Sequence, residues 1–313
     1  MDPFVTVEPA RPEERAAAFR LIFQHLSADE RQQRVEAALA LADRGELDPA
    51  GVLVARQGSR VVGALLCQPI PGAGALFWPP QAALGPRQQE WEDLLVQRGV
   101  AWLRQRGCKL GQALLPPHEA PLAAPLERNG FAHVTRLRYL RRPVHAADQL
   151  PPEQPHLEWE SYDEGDQALF HETLLRTYEG SLDCPEVNGV RDIGEIIAGH
   201  RAQGKHDPAR WWLAREQGRA VGVLLLAEMP EWAAWDVSYV GVVPAARGRG
   251  IGRALMGRAL AEAEDGGATQ VTLSVDERNR PARGLYRSLG FEPYDQREVY
   301  LAIWDNRGRP MTR

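Results

Sequence analysis

The sequence predicts an α/β chain with a mixed sheet, built as two tandem domains of similar element order. Three observations carry this. The stretch Val237–Leu255 passes from a β-branched and aromatic run, through a glycine-rich turn, to apolar residues at helical spacing (Ile251, Leu255, Ala259, Leu260), which is a strand–turn–helix unit. Pro244 ends the strand because proline has no amide hydrogen to donate. The chain also repeats itself. Ala55-Arg56-Gln57 with Val62-Gly63-Ala64-Leu65-Leu66 matches Ala214-Arg215-Glu216 with Val221-Gly222-Val223-Leu224-Leu225, an offset of 222 − 63 = 159. Gly130-Phe131 matches Gly290-Phe291 at 290 − 130 = 160. Between the copies, Gln149–Pro155 holds three prolines among polar residues, the composition of a semi-rigid linker. The expected spans are therefore 1–148 and 157–306, joined by a linker at 149–156.

In the first copy, Phe4–Glu8 reads as a strand. Pro12 to Leu41 reads as helix, broken near Ser27-Ala28-Asp29, where a serine can cap. Gly51–Ala55 and Val61–Gln68 form a hairpin, and Pro69–Pro86 reads as a loop rich in proline and glycine. Gln88–Gly107 is a helix with an apolar face at Trp91, Leu94, Leu95 and Trp102. Lys109–Leu115 is a strand, Leu122–Asn129 a helix ended by Gly130, and Ala132–Arg141 a strand. The second copy follows suit. Leu157–Ser161 is a strand, Asp166–Tyr178 and Ile193–Gln203 are helices around a loop at 179–190, and Trp211–Arg215 with Ala220–Glu228 form a hairpin. After the organising strand and its helix come strand Gln270–Val275, helix Pro281–Leu289 and a last strand Arg297–Trp304.

With 313 residues, 44% hydrophobic and 25% charged, the chain has the composition of a globular protein of two ordinary domains. A formal charge of −5 argues against nucleic acid as an obligatory partner. No apolar run is long enough to span a bilayer, and the start lacks the basic and apolar regions of a signal peptide. Cys67, Cys108 and Cys184 form neither a metal-ligand spacing nor a disulfide framework, so no metal and a reducing cytoplasm are the expectation.

The turn Arg247-Gly248-Arg249-Gly250-Ile251-Gly252-Arg253 opens a helix, so its first amides lack intrahelical acceptors and form an anion site with the helix dipole. Gly250 and Gly252 let an anion approach the backbone, and Arg247 adds positive charge. The spacing is neither the dinucleotide fingerprint nor a Walker loop. An ordinary glycine-rich turn is the bland alternative. R-x-x-G-x-G after Val242-Val243-Pro244, together with Asn279-x-x-Ala282-x-x-Leu285-Tyr286-x-x-x-Gly290-Phe291, closely resembles the GNAT acyltransferases over about residues 157–305. The element order agrees with that family's.

The resemblance implies two tandem GNAT-like domains and acetyl-CoA as co-substrate. It puts the pyrophosphate on the amides around Gly250–Arg253, Asn279 and Ala282 along the pantetheine arm, and Tyr286 as the acid that protonates the leaving thiolate. It also implies that the Val242 N–H polarises the thioester carbonyl. The first copy has no R-x-x-G-x-G. At an offset of 160 Gly250 maps to Glu90 and Gly252 to Glu92, carboxylates that repel a pyrophosphate, so this copy is expected to be degenerate. Asp236, Glu228 and Glu231 are candidate bases, or solvated strand-end carboxylates. An acidic residue at Asp236 is similar to the glutamate of the mycothiol synthase type of tandem GNAT. Without a bulge, Asp236, Ser238, Val240 and Val242 share one face; a bulge would change that. Asp183 and Glu186 could attract a cationic amine, whereas Cys184, His200 and His206 read as structural or surface residues. The expected activity is transfer of an acetyl group to the primary amine of a small molecule, in a monomer or homodimer. A protein N-terminal or lysine acetyltransferase, and a non-catalytic acetyl-CoA-binding regulator, are the alternatives.

Overall fold

The computed structural model describes residues 5–144 and 156–304, so most of the expected linker lies outside the described residues. The described residues fall into two compact units, residues 5–134 with 298–304 and residues 135–144 with 156–297.

Unit 1 contains β1 (Val5–Pro9), α1 (Arg15–Ile22), α2 (Ala28–Asp43), β2 (Val52–Gln57), β3 (Arg60–Ile70), β4 (Gly74–Ala82), α3 (Gln88–Arg104), β5 (Leu110–Leu115) and α4 (Ala124–Arg128). The break in the first helical stretch is a capping box: the Ser27 hydroxyl accepts from the Glu30 amide, and the Glu30 carboxylate accepts from the Ser27 amide. β4 occupies what the composition presents as a loop. It pairs with β3 at Trp78↔Leu66 and again at Gln81↔Ala64, with a register shift between. Pro79 and Pro80 sit in that shift, where no ladder bond is required of them. β6 (Ala132–Pro143) starts in this unit and continues into the other.

Unit 2 contains β7 (Glu158–Ser161), α5 (Ala168–Tyr178), α6 (Ile193–Arg201), β8 (Trp211–Glu216), β9 (Arg219–Met229), β10 (Ala234–Val242), α7 (Ile251–Asp265), β11 (Gln270–Asp276) and α8 (Arg280–Ser288), with β12 (Glu292–Ile303) running out of it. Its strands lie in the order β6-β11-β10-β9-β8-β7. β9 shows why both faces are covered. Leu224 and Leu226 pack with α7 residues such as Ile251 and Leu255, whereas Val223 and Leu225 pack with Phe170, Leu174, Ile196 and Ile197 of α5 and α6. β2 and β3 of unit 1 repeat that alternation, with Leu53 and Leu65 facing α3 and Val54 and Leu66 facing α1 and α2. The two hairpins even shift register at matching places, Ala55/Arg56 and Ala214/Arg215. The repeat seen in the sequence thus reappears as a repeated local irregularity.

The compact units are not the contiguous spans 1–148 and 157–306. In unit 1, β5 pairs with residues 298–303 of β12 (Leu115↔Glu298 to Leu110↔Ile303). In unit 2, β11 pairs with residues 137–143 of β6. Each repeat's last strand therefore completes the sheet of the other. Both follow a Gly-Phe pair, so nothing local in the sequence assigns either strand to its partner.

The helix entry of unit 1 also differs from that of unit 2. Counted from the helix starts, Arg87 stands where Gly250 stands, a local register three residues from the one taken in the sequence. Arg87 pairs with Glu90 at 2.8 Å, and the buried Glu92 accepts from Gln88 and Arg128. These carboxylates are thus already paired within unit 1. Among the described residues no helix is long and apolar enough to cross a membrane.

The exchange predicts where a core defect is felt. Leu301 is buried and lies on the exchanged strand. Leu301→Ala should cost about 2–5 kcal/mol. Hydrogen exchange should show the loss of protection in β5 and its neighbours within 5–134, leaving 156–297 nearly unchanged.

Candidate active site

β10 and β11 pair in parallel only at Ala234↔Gln270, Trp235↔Val271 and Asp236↔Thr272. Beyond that point the strands part. A cavity of about 400 Å³ opens beside the wedge, lined by residues 236–242 of β10, Leu273 and Ser274 of β11, the loop at 180–183, α5 and α6. A second cavity of about 400 Å³ lies against the glycine turn and α8. Val240, Gly241, Val242, Arg247, Asn279, Pro281, Ala282 and Tyr286 line both, so the two hollows meet across this short segment.

A bulge sets what β10 shows to each side. The β9–β10 register shifts between Val237 and Tyr239. Trp235, Val237, Val240 and Val242 pack on the α7 side, and Tyr239 on the α5/α6 side. The no-bulge grouping of Asp236 with Val240 and Val242 therefore does not hold. Gly241 is required here, because a Cβ would stand 2.6 Å from the Thr177 Cβ.

The turn after β10 has the geometry that its glycines suggest. Gly248 and Gly250 take φ of 75° and 83°, the left-handed region that disfavours side chains, and Gly250 is the N-cap of α7. Gly248, Gly250, Gly252, Arg253 and Ala282 line the second cavity. Val243 and Ile251 are buried in the core, and Arg249 pairs with Glu216 at 2.6 Å. The Arg253 guanidinium donates to the Ser288 hydroxyl. Arg247 is engaged otherwise than expected. Its guanidinium donates to four backbone carbonyls, those of Val242 (3.1 Å), Gly180 (3.2 Å), Thr177 (3.0 Å) and Glu179 (2.6 Å). It latches the end of α5 to the end of β10.

Asn279 caps α8, its Oδ1 accepting from the Ala282 amide at 3.3 Å. Tyr286 is buried, and burial first, with the nearby Asp183 charge second, pushes its phenol up, so it stays protonated. Asp236 sits at the fork. Thr272, its cross-strand partner, donates to Oδ1 at 2.7 Å, yet burial raises its carboxyl above the ordinary value. Glu228 pairs in register with Trp235, which puts it on the other sheet face from Asp236, and it holds Lys205 at 2.9 Å. Neither Glu228 nor the exposed Glu231 lines either cavity.

The 181–187 loop carries residues that the sequence left at the margin. Asp183 accepts from the Asp276 amide at 3.0 Å, while the Cys184 amide donates to Asp276 Oδ2 at 3.0 Å. Asp276 is fully buried; burial pushes it up, but hydrogen bonds from Arg278 and Thr135 outweigh that and hold it below the usual range. Asp183, with weaker compensation, is pushed up to about 6, chiefly by burial. Asp183, Cys184 and Asp276 gather closely enough to hold a metal ion, but the Asp276 oxygens already accept from Arg278, Thr135 and the Cys184 amide. Burial raises the Cys184 thiol well above its ordinary value, so it is inert rather than nucleophilic. On the opposite wall, the Thr177 and Tyr239 hydroxyls share a 2.8 Å bond, and Tyr178 meets His200 Nε2 at 3.3 Å.

Asp183 gives a stability prediction with a defined sign. Its folded-state pKa of about 6 lies above the ordinary 3.8, so the folded chain holds the proton more tightly. Stability from the protonated form is full below pH 4 and is lost as pH rises through 6. Asp183→Asn should therefore stabilise by up to about 3 kcal/mol at pH 7.5, since one pKa unit is about 1.4 kcal/mol. Thermal denaturation should show that gain vanishing near pH 4.

Residues 156–291 match the family described as Acetyltransferase (GNAT) family. A mycothiol acetyltransferase from Thermomonospora curvata is 34% identical over 189 residues, covering 56% of this chain and 58% of that protein. Another from Segniliparus rotundus is 32% identical over 194 residues, covering 56% of this chain and 67% of its own. The chain thus spans under two thirds of the first of these relatives. Among solved structures, a tandem GNAT protein from the clavulanic acid biosynthesis pathway superposes with a TM-score of 0.52 at 16% identity, over 96% of this chain and 98% of its own, a likeness of fold.

Proposed function

Because this chain belongs to the acetyltransferase (GNAT) family, we propose that unit 2 moves an acetyl group from acetyl-CoA to the primary amine of a small molecule by direct attack. The observation that carries this reading is the parting of β10 and β11 directly beside the glycine turn, with Asn279 and Tyr286 at the junction of the two hollows. The pyrophosphate takes the amides from Gly248 to Arg253. The pantetheine arm passes Asn279 and Ala282, and the thioester lies against β10, where the Val242 N–H polarises its carbonyl.

The amine enters from the α5/α6 side. Its nitrogen attacks the thioester carbon, and its proton passes to Asp236, directly or through one water. Burial raises the Asp236 carboxyl above its ordinary value, which makes it a stronger base than an exposed aspartate. As the tetrahedral intermediate collapses, the C–S bond breaks and the thiolate takes the Tyr286 proton. Glu228, on the other face and paired with Lys205, has no part in this arrangement. Arg247 positions the loop rather than binding phosphate. Unit 1 offers no equivalent anion turn and serves as a cofactor-free copy. The relatives are mycothiol acetyltransferases, so the unacetylated form of mycothiol, an amine without a carboxylate or phosphate, is one acceptor to test against anion-bearing amines.

Two measurements test the reading. Calorimetry should find one acetyl-CoA site per chain, with affinity at least about 100-fold weaker in Gly250→Glu, which strains a left-handed position and adds a charge at the anion turn. Two sites, or undiminished binding by the variant, would overturn the assignment. In a CoA-release assay, Tyr286→Phe should lower kcat by about 10²–10⁴-fold with little change in the KM for acetyl-CoA; an unchanged kcat removes Tyr286 as the acid.

A further inference from the structure

The acceptor-side cavity carries charge of both signs. Asp183 and Asp236 line it, and so do two arginines, Arg191 and Arg247. Arg247 is spent on four backbone carbonyls. Arg191 stands immediately before the cap of α6, half-buried, and among the described residues no hydrogen bond or ion pair engages it. Its Nε is enclosed without an acceptor.

The groups beside Arg191 do not neutralise it. Tyr178 and His200 line the same cavity and are bonded to one another at 3.3 Å. Burial first, then the Arg191 charge, lowers His200 to about 4, so the imidazole is neutral at neutral pH. Its Nδ1 is also enclosed without a partner. A half-buried guanidinium with no bonded anionic partner is costly unless something anionic meets it. Arginine's planar fork suits a carboxylate or a phosphate.

We propose that the acceptor is zwitterionic: its amine lies toward Asp236 and Asp183, and a carboxylate or phosphate on the same molecule pairs with Arg191. The acetyl-transfer reading supplies the amine end of this proposal; the anion end rests on Arg191 alone. A cavity of about 400 Å³ admits a small metabolite with both groups and disfavours polyamines, whose second cation would face Arg191.

The test separates the two ends. With the protein saturated with coenzyme A, calorimetry would compare 3-aminopropanoate, 4-aminobutanoate and 6-aminohexanoate with aminoethyl and aminopropyl phosphates and with propyl-, butyl- and hexylamine. At one chain length or more, the anion-bearing probe should bind at least about tenfold tighter than the simple amine. Arg191→Ala and the longer Arg191→Gln should erase that margin, and Arg191→Lys should keep part of it, while all three hold coenzyme A as the wild type does. The better of the carboxylate and phosphate series identifies the anion. Equal affinity of amine and zwitterion at every length, a margin that survives both neutral variants, or no binding by any probe would overturn the proposal. An intact margin without CoA release from any acceptor would sink the transfer reading and leave this one standing.

Discussion

The site depends on two neighbouring strands ceasing to pair after three residues. β10 and β11 make a parallel ladder from Ala234 to Asp236 and then diverge. Backbone groups beyond that fork lose their ladder partners and must find others. Much of the surrounding structure bears on keeping the fork open. The bulge after Val237 turns β10, Gly241 lets Thr177 close on the strand, and Arg247 spends its donors on the carbonyls of Val242 and the end of α5. α7 and α8 then approach the gap, and the left-handed Gly250 makes the tight entry to α7 possible.

A second anchor lies at the far end of β11. Arg278 binds Asp276 at 2.7 Å and Glu186 at 2.6 and 3.0 Å, so one guanidinium ties the 181–187 loop to the strand. Removing either carboxylate would leave partly buried charge uncompensated, which is why such links are strong when intact and expensive to break. Asp183 rides on this loop. Burial raises its carboxyl and the Asp276 charge adds to that, while the Asp276 amide, Asn279 and Arg278 offset only part of the rise.

Features written in adjacent residues were legible in the sequence. The glycine turn, the Asn279–Tyr286 helix, the Ser27 cap and the repeated hairpin all announce themselves within a dozen positions. The misses have long-range or cancelling causes. Pro79 and Pro80 hide β4 because their missing amides fall in a register shift. The parity of Asp236 turned on a bulge that alternation cannot reveal. Arg247 sits in the turn expected to hold an anion, and nothing near it in sequence predicts that α5 claims its donors. The wall made by Tyr178, Arg191 and His200 comes from two helices flanking a loop, with no fixed spacing to mark it. The partner of each repeat's last strand was likewise beyond local reading.

That exchange of last strands bears on how the chain is made. Leu115 emerges early, but the strand that satisfies its edge pairs from Glu298, 298 − 115 = 183 residues later. The first repeat therefore leaves the ribosome with an open sheet edge and cannot close it until the second repeat has been synthesised. Pairings so distant in sequence form slowly, and an open edge is a template for other chains while it waits. The exchange therefore ties closure of the first repeat's sheet edge to synthesis of the second repeat's last strand.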